Sequence, residues 1–358
     1  MRRIVTMRFF VNLVAAISFL NVGIFLFAMQ AHAAPQTSKP LEVYFVDVEG
    51  GQATLFVTPE GQSLLIDTGW AGFDGRDADR IVAAAKKAGL TKIDFVLITH
   101  YHRDHVGGVP QLAAKIPIGA FIDHGPNRET NDPDTEAGWQ AYQKVLEDKK
   151  IKRITAKVGD VLPVRGIRAE VVSADGMLLA KLLSGAGAQN PACATAEKKP
   201  ADQSENAYSL GTVITFGKTR IMDLGDLTWD KEMEMVCPVN KLGHMDVFIV
   251  SHHGLFQSNS PALVAAISPR IAIMDNGAAK GGSSSTLDTI KSSPKLEDLW
   301  QLHFSDEGGM AHNTSDTLIA NAAGADAGNY LKLTVWADGN FDVFNSRTQT
   351  AKHYAAAH

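Results

Sequence analysis

Ten consecutive residues, 99–108 (THYHRDHVGG), constrain the fold of this chain more than any other stretch. They follow the apolar run 95–98, which is typical of a buried strand. Open α/β sheets carry their chemistry at the carboxyl ends of such strands. Four side chains in the stretch can bind a metal ion, namely His100, His102, Asp104 and His105. We therefore predict an α/β fold in which this strand delivers a metal centre.

The spacing within this stretch suits two metal ions. His100 and His102 are two positions apart, so they project the same way from an extended segment. Two neutral imidazoles suit one borderline ion, and a carboxylate with a third imidazole suits a second ion beside it. We expect the glycine pair 107–108 to close the following turn with positive φ. The alternative is a solvated polar loop that binds no metal.

The amino-terminal 33 residues differ in composition from the rest of the chain. An apolar core, residues 9–29, follows arginines at positions 2, 3 and 8. Ala31-His32-Ala33 matches the small residues of a signal-peptide cleavage site. We predict that 1–33 is a signal peptide, that 34–40 is a linker, and that the mature protein is periplasmic or secreted. The alternative is a retained membrane anchor, since the segment is long enough to span a bilayer.

The charge of the mature chain argues against a nucleic-acid partner. The chain has 34 basic and 39 acidic residues, and the signal peptide holds three arginines and no acidic residue. Cleavage therefore leaves 31 basic residues and a formal charge of −8. Such a surface does not attract polyanions non-specifically. We expect a small-molecule substrate and no stable membrane association after cleavage, and the sequence does not indicate an oligomeric state.

The two cysteines are Cys193 and Cys237. In an oxidising compartment they would form one disulfide, and two free buried thiols are the alternative. Cys193 falls in 177–204, which is rich in Ala, Gly, Lys and Pro and lacks a sustained period. We interpret this stretch as an insertion near the mouth of the site. The alternative is a floppy surface loop.

Strand patterns predict one domain over 41–345, followed by a frayed tail over 346–358. The first half ends a strand in VLITH, and the second half ends one in FIVSH, before the sequence Ser-His-His-Gly of 251–254. Two similar halves, each delivering ligands from strand ends, favour a four-layer αββα sandwich with the site between its sheets.

Several further residues are candidates for the site. Two divalent ions close together repel each other, so a carboxylate is needed between them, and Asp226 after a strand and a glycine fits that role. Asp67, which follows a strand and precedes Thr68-Gly69, is a candidate for an Asx-turn. His124 lies at a strand end, where it either reaches the site or is a hydrogen-bonded loop residue. Asn276, after one strand, and His303, within another, either line the substrate side or serve as packing and turn residues.

The spacing His-x-His-x-Asp-His resembles the signature of the metallo-β-lactamase superfamily. The resemblance implies a four-layer αββα fold, one or two Zn²⁺ ions per chain with Mn²⁺ as the substitute, and a metal-bound hydroxide as nucleophile. It implies that Asp67 orients a ligand histidine without binding the metal itself. Its implied catalytic residues are Asp104, His252 and His253. Its implied metal ligands are His100 and His102 for one ion, Asp104 and His105 for the second, Asp226 between them, and His252 or His253.

One departure accompanies this resemblance. The superfamily often has a further histidine about twenty residues before the bridging aspartate, where this chain has Asn206. Asn206 either binds through its amide oxygen or leaves the first ion weakly held or absent.

Four motifs, Glu-Gly-Gly-Gln-Ala, Glu-Asn-x-x-Ser-Leu, Leu-Gly-Asp-Leu and His-His-Gly, look most like one branch of the superfamily. It comprises the soluble domain of ComEC-type competence proteins and the exported phosphorylcholine esterases. The implied activity is phosphodiester hydrolysis. The alternatives are hydrolysis of a lactone, lactam or other ester on the same site, or metal binding with little turnover.

Overall fold

The computed structural model of the chain describes residues 39–324 and 326–357. The predicted signal peptide, 1–33, lies outside the described residues, as does most of the predicted linker, 34–40. Within the described part, no helix combines the length and the apolar character needed to cross a lipid bilayer.

The described residues contain seventeen strands. In chain order the strands of the described residues are β1 Leu41–Phe45, β2 Thr54–Val57, β3 Ser63–Ile66, β4 Ile93–Leu97, β5 Ile118–Asp123, β6 Lys152–Thr155, β7 Arg168–Ala174, β8 Met177–Leu178, β9 Gly211–Phe216, β10 Thr219–Asp223, β11 Val247–Ile249, β12 Ile271–Met274, β13 Asp298–His303, β14 Ile319–Asn321, β15 Leu331–Val335, β16 Phe341–Asn345 and β17 Thr350–Tyr354.

Helices connect many of these strands. Their bounds are α1 Arg76–Lys87, α2 Arg103–Val106, α3 Val109–Lys115, α4 Pro133–Lys149, α5 Trp229–Val236, α6 Pro261–Ile267, α7 Ser284–Lys291 and α8 Gly309–His312. Local chemistry fixes their ends. At α4, the side chain of Asp132 accepts a hydrogen bond from the Thr135 N–H, and Pro133 occupies the first turn, where its missing N–H costs nothing.

The strands form two mixed sheets. The first has nine strands in the order β17-β16-β15-β1-β2-β3-β4-β5-β6, and the second has eight in the order β14-β13-β12-β11-β10-β9-β7-β8. Strands β3 to β6 are parallel to one another, and so are β10 to β14. Each half of the chain therefore contributes a parallel set whose carboxyl ends can carry a site.

Three apolar clusters define the layers. Phe45 from the first sheet and Ile249 from the second belong to the cluster that both sheets share. Val96 belongs to a cluster of the first sheet with α1, α3 and α4, and Phe248 belongs to a cluster of the second sheet with α5, α6 and α7. Alternate residues of one strand thus pack on opposite faces. The predicted four-layer αββα sandwich is confirmed.

The predicted frayed tail over 346–358 is wrong. Residues Thr350–Tyr354 form β17, which pairs antiparallel with β16 at the edge of the first sheet. Tyr354 is buried, its ring centroid is 5.0 Å from that of Phe341, and its hydroxyl accepts a hydrogen bond from Nε1 of Trp300 at 2.9 Å. The buried Tyr354 side chain therefore anchors a strand whose other residues are exposed. The domain extends past residue 345.

The stretch 177–204 begins with β8 and contains little other regular structure. A disulfide joins Cys193 to Cys237, which lies at the end of α5. Residues Gln189 and Val239 form a bridge, so backbone pairing also fastens the stretch to the second sheet's helical layer. Of the two alternatives for the cysteines, the structure has the disulfide. The middle of the stretch is therefore attached to the end of α5 and the segment that follows it.

Candidate metal centre

The first sheet delivers its ligands from the end of β4. His100 follows this strand, and Asp104 and His105 lie on α2, a single helical turn. The expectation of positive φ at the two glycines after α2 is wrong, because φ is −60° at Gly107 and −75° at Gly108. Close approach explains them instead: a Cβ at Gly108 would lie 2.0 Å from the carbonyl oxygen of Thr68. Because these glycines have no side chain, α2 can pack closely against the loop after β3.

The second sheet delivers its ligands from the ends of β10 and β11. Asp226 follows β10, and His252 and His253 follow β11. Both histidines have left-handed backbones, with φ of 53° and 52°. Residues other than glycine rarely adopt this conformation, and it recurs where a site holds a side chain in a required position. The turn thereby directs two consecutive imidazoles toward Asp226.

Four buried side chains from the two sheets form a compact group, which we call the cage: Asp104, His105, Asp226 and His253. The Nε2 atom of His105 lies 3.3 Å from Oδ2 of Asp104, 3.2 Å from Oδ2 of Asp226 and 3.1 Å from Nε2 of His253. The Nε2 atom of His253 lies 3.1 Å from Oδ2 of Asp104 and 3.5 Å from Oδ1 of Asp226. The cage thus points two nitrogens and two carboxylates at one volume.

These separations fit a divalent metal ion. Ligand atoms at tetrahedral corners about 2.0–2.1 Å from Zn²⁺ are about 3.3 Å from one another. Buried polar atoms support the same conclusion, because Nε2 of His100 and Oδ1 of Asp226 have no hydrogen-bond partner among the described residues. Such atoms are rare in native proteins unless an ion, water or ligand satisfies them. The chain therefore carries a buried His/Asp metal-binding cluster.

A second group of donors borders the cage on the Asp226 side. Oδ2 of Asp226 lies 3.3 Å from Nε2 of His252 and 3.8 Å from Nε2 of His100. His102 directs its Nε2 to Oε2 of Glu129 at 2.9 Å, which leaves Nδ1 as its only ring nitrogen for a metal. Asn206 has a buried amide oxygen that lacks a hydrogen-bond partner within the described part of the chain. Asp226 thus faces both groups of donors.

A further carboxylate orients one cage histidine. Asp67 accepts a hydrogen bond from Nδ1 of His105 at 2.7 Å and two more from the backbone and hydroxyl of Thr99. An acceptor at Nδ1 keeps the proton there and presents the Nε2 lone pair to a metal. Asp67 therefore favours the tautomer of His105 that metal binding requires. Asp275 lies 3.4 Å from Nδ1 of His253 without a hydrogen bond between them.

The electrostatics of the cluster separate its histidines into two kinds. Burial lowers the pKa of His105, but Asp226, Asp104 and Asp67 outweigh it and hold that pKa well above its usual range. Burial and the neighbouring His105 hold the pKa of His100 well below its usual range. Burial also lowers the pKa of His252 to about 4, although Asp226 opposes it. His252 is therefore neutral at pH 7, which suits a ligand better than a general acid.

Three of the weaker candidates lie apart from the cage. His124 directs Nε2 to Oε2 of Glu205 at 3.1 Å, in a buried network behind His102. His303 directs Nε2 to Oδ1 of Asp47 at 2.7 Å. The Asn276 amide donates to the carbonyl oxygens of Gly277 and His303, so it joins two loops. All three side chains therefore have hydrogen-bonding partners that lie outside the cage.

Sequence reasoning missed the supporting residues Thr99, Glu129, Glu205 and Asp275. A signal existed for Asp275, because it directly follows β12, a buried parallel strand beside β11. No comparable signal existed for Glu129, which lies in a loop. Glu205 begins the Glu-Asn-x-x-Ser-Leu motif, but the motif does not reveal that its carboxylate accepts from the backbone N–H groups of Tyr101 and Arg128. These contacts join segments that are far apart in sequence.

Comparison with known proteins adds to this picture. Residues 46–175 match the family model described as metallo-beta-lactamase superfamily. Hydroxyacylglutathione hydrolase of Rhodopseudomonas palustris (strain HaA2) is 30% identical over 109 residues, 30% of this chain and 35% of that protein. Recombination protein 2 of Haemophilus influenzae is 24% identical over 259 residues, 72% of this chain and 27% of that protein. The chain therefore spans well under two thirds of either relative.

A solved structure, the diiron beta-hydroxylase CmlA of Streptomyces venezuelae, is similar at a TM-score of 0.39 and 15% identity, covering 68% of this chain and 46% of that one. The sequence match contains Asp67 and the whole His-x-His-x-Asp-His segment, whereas Asp226 and the histidine pair lie beyond it. Residues 46–175 are therefore similar to the metallo-β-lactamase superfamily, and the described residues form two mixed sheets with helices on their outer faces.

Proposed function

We propose that this protein is a metal-dependent hydrolase of a phosphoester, and that Zn²⁺ is its metal. The observation that carries the hydrolase proposal is the cage, whose donor atoms are 3.1–3.5 Å apart between two sheets. A divalent ion supplies Lewis acidity and lowers the pKa of a water molecule that it binds to roughly 7. Histidine and carboxylate donors suit Zn²⁺, and Mn²⁺ is the substitute.

The residues of this chain would perform the remaining tasks. Asp226 faces both groups of donors, so its carboxylate would offset the repulsion between two ions. Ser258 lies 3.3 Å from Nδ1 of His252 and would hold that ring with its Nε2 toward Asp226. Asp67 would keep His105 in the metal-binding tautomer.

One observation supports a phosphoester over other substrates. The four motifs that resemble the ComEC-type and phosphorylcholine esterase branch lie on both halves of the chain. Recombination protein 2 aligns over 72% of this chain, and hydroxyacylglutathione hydrolase aligns over 30%. The latter relative, named for hydrolysis of an acylglutathione, supports the second candidate, a carboxylic ester or thioester. We also propose export, on the amino-terminal sequence alone.

The test is metal stoichiometry combined with turnover on the purified chain 34–358. We expect one to two Zn²⁺ per chain and hydrolysis of chromogenic phosphodiesters in preference to chromogenic esters and lactones. The double variant His100→Ala/His102→Ala and the double variant Asp104→Ala/His105→Ala should each lower bound metal. Absence of any transition metal after reconstitution would end the hydrolase proposal. Bound metal without turnover on any substrate would instead favour a binding protein.

A further inference from the structure

Lys280 lies at the mouth of the metal centre. Its ammonium contacts Oδ2 of Asp104, and its side chain is 30% exposed. The ammonium also lies 4.9 Å from the centroid of the Trp70 ring, within the range of a cation–π contact. Among the residues that the structure describes, no other lysine or arginine pairs with a carboxylate of the cage. Lys280 is therefore the cation that an approaching substrate would meet.

The loop that carries Lys280 is fastened to the cage. The Gly277 N–H donates to the carbonyl oxygen of Lys280 at 2.8 Å, and the Gly282 N–H donates to that of His253 at 2.9 Å. A Cβ at Gly281 would lie 2.2 Å from the same His253 oxygen, so only glycine allows this approach. The backbone at Lys280 therefore keeps a fixed position relative to a cage histidine, and only its side chain has room to move.

One oxygen serves both Lys280 and the cage. Oδ2 of Asp104 accepts the ammonium, and the same atom lies 3.3 Å from Nε2 of His105 and 3.1 Å from Nε2 of His253. A divalent ion bound by this oxygen would repel the ammonium, because like charges a few ångströms apart repel strongly in a buried site. The ammonium would then turn toward solvent, to which its side chain is 30% exposed, while its backbone stays in place.

We infer that Lys280 is the anion-binding side chain of the site: with metal in the cage, its ammonium binds an anionic oxygen of the substrate. The inference rests on the proposed function and names the residue that would recognise the charge of its phosphoester substrate. An ammonium forms short, charge-assisted hydrogen bonds with phosphate oxygens. A neutral ester offers only a carbonyl oxygen and gains much less from this contact. Lys280 therefore selects a phosphoester over a neutral ester.

The test compares Lys280→Met, Lys280→Arg and wild type in the zinc-loaded protein, with inorganic phosphate as the probe. Calorimetry should show phosphate binding weakened about ten- to a hundredfold in Lys280→Met and largely kept in Lys280→Arg. Chelator competition should show tighter zinc binding in Lys280→Met, since a competing cation is gone. Lys332→Met is the matched control, because Lys332 is 26% exposed and pairs with one carboxylate, that of Glu42. It should change neither affinity.

Unchanged phosphate affinity in Lys280→Met, or weaker zinc binding, would overturn the inference. Neither measurement requires turnover, so a protein without hydrolase activity still tests Lys280. Where turnover is present, kcat/KM for bis(p-nitrophenyl) phosphate should fall in Lys280→Met far more than kcat/KM for p-nitrophenyl acetate. Equal losses on the two substrates would leave the hydrolase proposal standing and contradict the role of Lys280.

Discussion

The carboxylate of Asp226 is the residue-scale feature that most directly connects structure to chemistry. Its Oδ2 atom lies 3.2 Å from Nε2 of His105 inside the cage and 3.3 Å from Nε2 of His252 outside it. Burial raises the pKa of this carboxyl, yet His105, His252 and His253 hold it well below its usual range. Asp226 is therefore ionised at neutral pH, as a ligand between two cations must be.

Asp226→Asn keeps the shape of the side chain and removes its charge. We expect kcat per folded, metal-loaded molecule to fall by more than tenfold, with a much smaller change in substrate affinity, because charge stabilisation in the transition state is lost. Asp79→Asn, at a side chain that is 61% exposed, is the control. A variant that kept more than about a tenth of wild-type kcat, a barrier change under about 1.4 kcal/mol, would contradict the bridging role.

Asp67 makes a second prediction at this scale, because it binds Nδ1 of His105 without belonging to the cage. Asp67→Asn should weaken metal binding about ten- to a hundredfold, since the orienting acceptor is lost. Competition with a chromogenic chelator measures this affinity. Asp94→Asn is the matched control, because Asp94 binds Ser63 and touches no histidine of the site. Equal metal affinity in the two variants would show that Asp67 is only a turn residue.

At the scale of elements, the disulfide is the strongest constraint on 177–204. It closes a loop of 44 residues between Cys193 and Cys237. Replacing both cysteines by serine should lower the free energy of unfolding by about 3–4 kcal/mol, because the unfolded chain regains the entropy of that loop. Denaturant titration of the variant and of the oxidised wild type measures the difference. A loss below about 1 kcal/mol would show that the bridge adds little to other contacts of this loop.

Elements with strong local patterns were predictable from sequence, and those fixed by distant contacts were not. The apolar runs of β4 and β11 and the glycine after Asp226 are local features, so the strand ends that carry the site could be found. Strand β17 has one buried residue, Tyr354, and its anchor Trp300 is 54 positions away. No pattern within β17 itself reveals such an anchor, which is why the carboxyl terminus was expected to fray.

Backbone geometry also determines which of the two adjacent histidines, His252 or His253, belongs to the cage. Left-handed conformations at His252 and His253 place the second imidazole in the cage and the first beside Asp226. Non-glycine residues rarely adopt this conformation, so a sequence of two histidines does not predict it. The sequence did not predict helix α2, because a single helical turn is too short to form alone. Close packing of the two following glycines against the loop after β3 stabilises it.

At the scale of the whole molecule, the proposal of export depends on the first 33 residues. Amino-terminal sequencing of the protein purified from its native cells should begin near Ala34, because Ala31-His32-Ala33 offers small residues at the cleavage site. Fractionation should place that protein outside the cytoplasm. A protein that begins at Met1 and stays with the membrane fraction would favour an anchor instead.

The cage draws Asp104 and His105 from one sheet and Asp226 and His253 from the other, with more than a hundred residues of chain between the two pairs. Neither pair alone supplies four donors, so high-affinity binding begins only when both sheets have come together. A chain that crosses a membrane before it folds would therefore cross without its ion. The metal ions available in the compartment where folding finishes then determine which ion fills the site. The same protein folded in another compartment can carry a different metal ion.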